Sequence, residues 1–110
     1  MTEHFKAAPT KAIFDEFVAQ AGDRPVFVDF YATWCGKCEL LKPDLEAIAD
    51  AHLEQAIYIK VDVEENEEIA EEFQVESLPT VIVLRGREKK GEMKGSKPEN
   101  FKKFMEEALA

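Results

Sequence analysis

Cys35 and Cys38 are the residues of this chain whose type and spacing most directly suggest chemistry. They are the only two cysteines in 110 residues, and two residues separate them. That spacing suits one helical turn, which can bring the two sulfur atoms within bonding distance. A disulfide closing so short a loop constrains the unfolded chain very little, so a reversible dithiol is favoured over a structural cross-link. The alternatives are two buried structural thiols or half of a metal site.

A strand-like run precedes the cysteines and a helix-like segment follows them. Residues 25–31 are apolar almost throughout, which is typical of a strand covered on both faces. A long helix is predicted from Cys35 to Leu53, and Pro43 inside it predicts a bend. Its buried stripe is predicted to contain Leu41, Leu45, Ile48, Ala49 and His52. The cysteines therefore lie where a core strand gives way to a helix.

Strands and helices alternate along the rest of the chain. The predicted elements are an edge strand at 5–8, a helix capped by Thr10 and ended by Gly22, a strand at 56–63, a helix at 67–73, a strand at 80–84, a hairpin strand at 88–94 after Gly86-Arg87, and a final helix. Ser96 and Glu99 resemble a capping box for that last helix, with Pro98 in its first turn. This order predicts a mixed sheet with parallel crossovers and helices on both faces.

Size and charge limit the functions that are open to the chain. A length of 110 residues with 45% apolar residues suits one folded domain. Against 14 basic residues there are 23 acidic ones, a formal net charge of −9, which argues against nucleic acid or an anionic membrane as partner. No apolar run approaches membrane-spanning length, and the first residues lack a secretory pattern. We therefore expect a reducing, cytoplasmic location.

Several blocks of the sequence carry a family resemblance. They are the run from Val28 to Gly36 with Cys38 (VDFYATWCG-x-C), then Pro43, Lys60-Val61-Asp62-Val63, Asn66, Leu78-Pro79-Thr80 and Gly95. In order and spacing they resemble the thioredoxin family over essentially the whole chain. A C-x-x-C pair alone would be weak support, because it also occurs in zinc sites and at haem attachment points.

The resemblance implies a fold, an activity and partners. The expected fold is the α/β thioredoxin fold, a mixed five-stranded sheet flanked by four helices, as one domain over residues 1–110. The expected activity is that of a small protein-disulfide reductase without a bound cofactor, which an NADPH-dependent thioredoxin reductase recharges. Expected substrates are oxidised proteins of the peroxiredoxin or ribonucleotide reductase type. The protein is expected to act as a monomer in the cytoplasm.

Four residues are predicted to carry the exchange chemistry. Cys35, at the helix N-terminus, is the expected nucleophile, because unpaired N–H groups and the helix dipole favour a thiolate there. Cys38 is expected to be more shielded, to resolve the mixed disulfide and to pair with Cys35. Asp29, an acid within an apolar strand, matches the family's buried proton acceptor, although it could instead point outward at a strand edge. Lys60 matches the lysine that compensates this acid, and a solvated strand-end lysine is the alternative.

A second set of residues is expected to contact substrates. By resemblance it contains Trp34, Gly36, Lys37, Leu78, Pro79, Thr80 and Gly95. The family's loop has a cis peptide bond before Pro79, which exposes the backbone of Leu78 to an extended substrate. From the residues alone, an ordinary trans proline would be preferred. Trp34 is expected to be a surface aromatic beside Cys35, and Gly95 to line the groove.

Lys37 is the main departure from the family pattern, which usually has proline at this position. Lysine restores an N–H and adds a positive charge beside Cys35, and both favour the thiolate. We therefore predict a reduction potential above the value of about −270 mV known for thioredoxin. Glu39, where a basic residue is common, could offset part of this effect.

Three other functions fit parts of the pattern. A disulfide isomerase or oxidase shares a similar active-site segment, but it would have histidine at position 37 and a secretory signal. A thioredoxin-fold binding subunit without turnover would not need Asp29 and both cysteines. A zinc module would need four ligands, and beyond the cysteines only His4 and His52 are evident, at unsuitable spacings.

Overall fold

A computed structural model of the chain describes residues 3–110, which form five strands and four helices. In chain order they are β1 (Lys6–Ala7), α1 (Lys11–Gln20), β2 (Val26–Tyr31), α2 (Gly36–Ala51), β3 (Ile57–Asp62), α3 (Glu67–Glu72), β4 (Thr80–Arg85), β5 (Glu88–Lys94) and α4 (Pro98–Leu109). The predicted element order is confirmed. Within residues 3–110 no helix combines the length and the apolar character that crossing a membrane requires.

The strands form one mixed sheet in the order β1-β3-β2-β4-β5. Strands β1, β2 and β3 pair in parallel, while β4 runs antiparallel to both β2 and β5. The parallel pairs follow from the crossover helices, and the β4–β5 pair follows from the two-residue turn. At that turn Gly86 has a φ of 62°, a value that glycine adopts without steric cost. Strand β2 is central, and its carboxyl end carries the segment that leads to the cysteines.

Alternate residues of β2 pack on opposite faces of the sheet. On one face, Val26, Val28 and Phe30 join a buried cluster with α1 and α3. On the other face, Phe27 packs in a cluster with α2 and α4. Both faces are largely apolar because helices cover both, as the nearly continuous apolar run predicts. Asp29 and Tyr31 lie on the Phe27 side, towards α2.

Two local predictions are wrong. Helix α4 begins at Pro98, so its N-cap is Lys97, and no side chain there makes a capping hydrogen bond. Ser96 lies one residue too early to form a capping box with Glu99. Helix α2 ends at Ala51 rather than Leu53, since His52 leaves helical geometry and forms the half-buried C-cap. The bend at Pro43, which lies inside α2, stays a prediction.

Candidate active site

The two cysteines are joined in a disulfide at the N-terminus of α2, and their Cα atoms are 5.3 Å apart. Cys35 is the N-cap residue of this helix, and its Sγ accepts a hydrogen bond from the backbone N–H of Cys38 at 3.2 Å. The unpaired N–H groups of a first helical turn and the positive end of the helix dipole favour negative charge at that position. The local geometry therefore suits a thiolate on Cys35 once the disulfide is reduced.

Exposure alone does not distinguish the two cysteines. Cys35 is 9% exposed and Cys38 is 8% exposed, so the predicted difference in shielding is not seen in the disulfide form. The two residues do face different spaces. Cys35 lines an open groove of about 300 Å³ with Trp34 and Leu78, whereas Cys38 lines a narrow crevice, of about 50 Å³, with Asp29. Access for another protein is therefore on the Cys35 side.

Asp29 lies in the central strand β2, in register with Lys60 of β3 and Val81 of β4. An outward orientation at a sheet edge is therefore excluded. Its half-buried side chain lines the crevice beneath Cys38. Burial is the larger cause and the charge of Glu46 the second, and together they raise the pKa of Asp29 from the ordinary 3.8 to about 7. The positive charges of Lys60 and Lys42 act in the opposite direction. A carboxyl group that titrates near neutral pH can both take and return a proton.

Lys60 lines the same crevice, but its ammonium group pairs with a different carboxylate. Its Nζ lies 2.8 Å from Oε1 of Glu3, and Nζ of Lys42 lies 3.4 Å from the same oxygen. The charges of both lysines lower the pKa of Asp29. Lys60 thus combines the two predicted possibilities, since it is close enough to affect Asp29 and also forms an exposed ion pair.

The loop before β4 has the geometry that the resemblance implies. The peptide bond between Leu78 and Pro79 is cis. Leu78 is half-buried at the groove that Cys35 borders. Thr80 is fully buried, and its hydroxyl donates to the carbonyl oxygen of Ser77 at 2.6 Å. Thr80 therefore holds the loop and adds nothing to the exposed surface.

The other expected contact residues are exposed. Trp34 is 68% exposed beside Cys35, as predicted for a surface aromatic. Gly36 and Lys37 form the exposed first turn of α2. Gly95 is exposed after β5 with a φ of +113°, and it is not among the residues that border the groove. The geometry thus brings Trp34 and Leu78 to the groove, but not Gly95.

Glu46 is a residue of the crevice that the sequence patterns did not predict. This residue lies among the buried residues of α2, between Leu45 and Ile48, and is only 3% exposed. Its carboxylate accepts hydrogen bonds from the backbone N–H groups of His4, at 2.6 Å, and Phe5, at 3.4 Å, and lines the crevice with Asp29. A signal was available, because a glutamate in the apolar stripe of a helix requires buried hydrogen-bond donors.

Comparison with known proteins identifies the family. The family model described as Thioredoxin matches residues 6–107. The chain belongs to the thioredoxin family. It therefore has the thioredoxin fold, as predicted, and it is a protein-disulfide oxidoreductase with its cysteine pair at Cys35 and Cys38.

Two individual thioredoxins are similar to this chain over nearly its whole length. Thioredoxin from Oryctolagus cuniculus is 36% identical over 104 residues, covering 94% of this chain and 98% of the relative. The solved structure of Malassezia sympodialis thioredoxin has a TM-score of 0.90 at 27% identity, covering 99% of this chain and 94% of that one. A bifunctional thioredoxin reductase/thioredoxin from Mycobacterium leprae is 44% identical over 89 residues, which are 78% of this chain and 19% of that protein.

The described residues offer no evident alternative chemistry at a metal centre. Among residues 3–110 there is no group of three or more His, Cys, Asp or Glu side chains that could hold a metal ion. His4 contacts Asp50, with 3.0 Å between Nε2 and Oδ1, and His52 contacts Gln55. Neither histidine therefore supports a zinc site with the cysteine pair.

Proposed function

We propose that this protein is a small protein-disulfide reductase in which Cys35 attacks the substrate and Cys38 completes the exchange. The observation that carries the proposal is the disulfide itself, which caps α2 beside an open groove and lies above a crevice that contains a titratable acid. A nucleophile, a resolving thiol and a proton acceptor are the groups that thiol–disulfide exchange uses.

In the first step the Cys35 thiolate attacks one sulfur of the substrate disulfide. A bond forms between Sγ of Cys35 and that sulfur, while the other substrate sulfur leaves as a thiolate and takes a proton from water. The N–H of Cys38 and the first turn of α2 stabilise the attacking anion. The result is a mixed disulfide between the two proteins.

In the second step Cys38 gives its proton to Asp29 and attacks Sγ of Cys35. The Cys35–Cys38 bond forms, the mixed disulfide breaks, and the second substrate sulfur leaves as a thiolate. Two electrons have then passed from the cysteine pair to the substrate. Because only ionised Asp29 accepts the proton, this step should accelerate as pH rises through about 7.

The groove beside Cys35 supports binding of an extended protein segment. Trp34 and Leu78 provide apolar contacts, and the backbone next to Pro79 supplies hydrogen-bonding groups for strand-like pairing. Gly36 and Lys37 border the attacking sulfur. A shallow groove recognises surface shape rather than one small molecule, so the proposed substrates are oxidised proteins, such as those of the peroxiredoxin or ribonucleotide reductase type.

An NADPH-dependent thioredoxin reductase is the proposed source of electrons. Support comes from the M. leprae relative, whose name joins thioredoxin reductase and thioredoxin in one bifunctional protein. We propose that the present chain works with a separate reductase, as a monomeric electron carrier in the cytoplasm, over the single domain of residues 1–110.

Insulin reduction tests this function against a binding subunit without turnover. With dithiothreitol as electron source, the protein should accelerate precipitation of the reduced insulin chains. A binding subunit would leave the dithiothreitol rate unchanged. Addition of NADPH and a thioredoxin reductase in place of dithiothreitol tests the proposed partner separately.

Lys37 leads to a prediction about the direction of electron flow. It is exposed at the second position of α2, where its N–H is one of the unpaired donors of the first turn, and it adds a positive charge near Cys35. Both features stabilise the reduced form. Replacing Lys37→Pro should therefore lower the reduction potential by about 30 mV, a tenfold change in the exchange equilibrium.

Glutathione redox titration of both proteins, followed by tryptophan fluorescence, measures this difference. The control is Lys102→Gln, which removes a positive charge from the exposed side of α4. A lysine-to-proline control at Lys90 is unsuitable, because proline there would interrupt β5. A wild-type potential at or below about −270 mV contradicts the account of Lys37. A potential well above it favours the isomerase or oxidase alternative.

A further inference from the structure

The backbone of His4 and Phe5 is held beside the crevice by a buried carboxylate. Oε1 of Glu46 accepts from the backbone N–H of His4 at 2.6 Å and of Phe5 at 3.4 Å, and Oε2 also accepts from Phe5 at 3.4 Å. In the sequence, His4 and Phe5 are separated from Glu46 by 42 and 41 positions. Because both carboxylate oxygens of Glu46 accept backbone hydrogen bonds, the orientation of its side chain is fixed. Glu46 therefore presents a positioned carboxylate to the crevice that Asp29 also lines.

The carboxylate of Glu46 is not in direct contact with a lysine. Within the described part of the chain, Glu46 has no salt-bridge partner within 4.0 Å, whereas Lys42 and Lys60 both pair with Glu3. Glu3 thus holds the ammonium groups of both lysines. Asp29 therefore shares the crevice with a second carboxylate, whose charge raises the pKa of Asp29.

Charged and titratable groups reach Asp29 from each element around the crevice. They are Tyr31 from β2, Glu39, Lys42 and Glu46 from α2, Lys60 from β3, and Glu3 through its lysine pairs. Burial raises the pKa of Asp29 most, and the charge of Glu46 raises it further, while the charges of Lys60 and Lys42 lower it. Among these groups, Glu46 is the only fully buried carboxylate. Dissolved salt screens a buried charge less than an exposed one.

We propose that Glu46, held by the backbone of His4 and Phe5, is a positioning residue that sets the proton occupancy of Asp29 during exchange. This inference rests on the proposed role of Asp29 as proton acceptor for Cys38. Without the second carboxylate, Asp29 would release its proton at lower pH and would be a weaker base. His4 and Phe5 would then contribute to the chemistry through Glu46.

The substitution Glu46→Gln separates charge from anchoring, because the amide oxygen can still accept from His4 and Phe5. Carbon-13 NMR titration of the Asp29 carboxyl group should give a midpoint about one pH unit lower than in the wild type. Asp44→Asn is the matched control, since it removes the same charge from an exposed position of α2 that lies outside the crevice. Lys42→Gln should move the midpoint in the opposite direction.

Unchanged amide signals of His4 and Phe5 show that the anchor persists in the Glu46→Gln variant. An Asp29 midpoint within about 0.2 pH units of wild type in that variant overturns the inference, as does an equal shift in Asp44→Asn. If the Glu46→Gln variant fails to fold, a measurement on the wild-type protein still tests the inference. The Glu46 carboxyl signal should show an inflection at the Asp29 midpoint, and its absence overturns the inference.

A kinetic measurement distinguishes an incorrect role for Glu46 from an incorrect role for Asp29 in the proposed function. The pH at which the second exchange step reaches half its maximal rate should fall together with the Asp29 midpoint in Glu46→Gln. A shifted midpoint with an unshifted rate profile contradicts the role of Asp29 in exchange. An unshifted midpoint in an active enzyme contradicts only the role of Glu46.

Discussion

Replacing Cys35→Ser should reduce catalysed insulin reduction by at least about a thousandfold, to the rate of dithiothreitol alone. A serine hydroxyl remains protonated at neutral pH and cannot form the mixed disulfide. Cys38 does not substitute for it, because it lies on the crevice side of the pair, away from the groove that Trp34 and Leu78 border. Turnover with dithiothreitol and insulin is the measurement.

Cys38→Ser is the control for loss of the disulfide as such. Both variants lack the Cys35–Cys38 bond, so any general loss of stability should be similar in the two. Only Cys38→Ser should retain a thiol that iodoacetamide alkylates rapidly at neutral pH, because its remaining cysteine is the N-cap of α2. Equal alkylation rates in the two variants would contradict the assignment of Cys35 as the nucleophile.

Replacing Asp29→Asn should slow the second exchange step by at least about tenfold at neutral pH. This lower bound is below the usual range for a general base, because solvent water can take the proton in place of Asp29. The wild-type rate should rise as pH increases through about 7, where Asp29 ionises, and the variant should lack that inflection. Stopped-flow measurement of mixed-disulfide resolution across this pH range provides the test.

The same substitution should stabilise the protein at alkaline pH. The folded-state pKa of Asp29, about 7, lies above the ordinary 3.8, so the folded protein holds the proton more tightly than the unfolded chain does. The contribution of Asp29 to wild-type stability therefore falls as pH rises between these values and is lowest above them. Asparagine cannot ionise, and we expect a gain of about 2 kcal/mol at about pH 8, since solvent reduces the full effect of a half-buried group.

Urea unfolding of the oxidised wild type and variant at about pH 4 and pH 8 gives the comparison. The stability difference should appear only at the higher pH, because Asp29 is protonated in the folded protein at the lower one. Asp44→Asn, which removes an exposed carboxylate, should show no such dependence. A gain for Asp29→Asn of equal size at both pH values would mean that ionisation of Asp29 does not cause it.

Local sequence signals predicted the elements that position the cysteines. The apolar run before Tyr31 requires a strand covered on both sides, and the C-x-x-C spacing fits the first turn of α2. Thr10 and Gly86 acted as expected, as helix cap and turn residue. Where a local signal was ambiguous by one residue, as at Ser96 and Lys97, the prediction was wrong. Such patterns depend only on neighbours in the chain, which the sequence displays directly.

The crevice could not be predicted in the same way, because its parts are distant in the chain. Glu3 contacts Lys60 across 57 positions, and Glu46 holds His4 across 42. No periodic pattern encodes these contacts, and they arise only when β1 adds to the sheet edge beside β3. The cis peptide bond at Pro79 followed from the family resemblance, since the residues alone favour trans.

Trapping of the mixed disulfide tests the central claim most directly. The Cys38→Ser variant, incubated with a peptide that contains one disulfide, should form a covalent adduct that intact-mass and peptide mass spectrometry locate on Cys35. The Cys35→Ser variant should form little or none under the same conditions. Equal adduct formation through Cys38, or no adduct on Cys35, would contradict the claim that Cys35 opens the substrate disulfide.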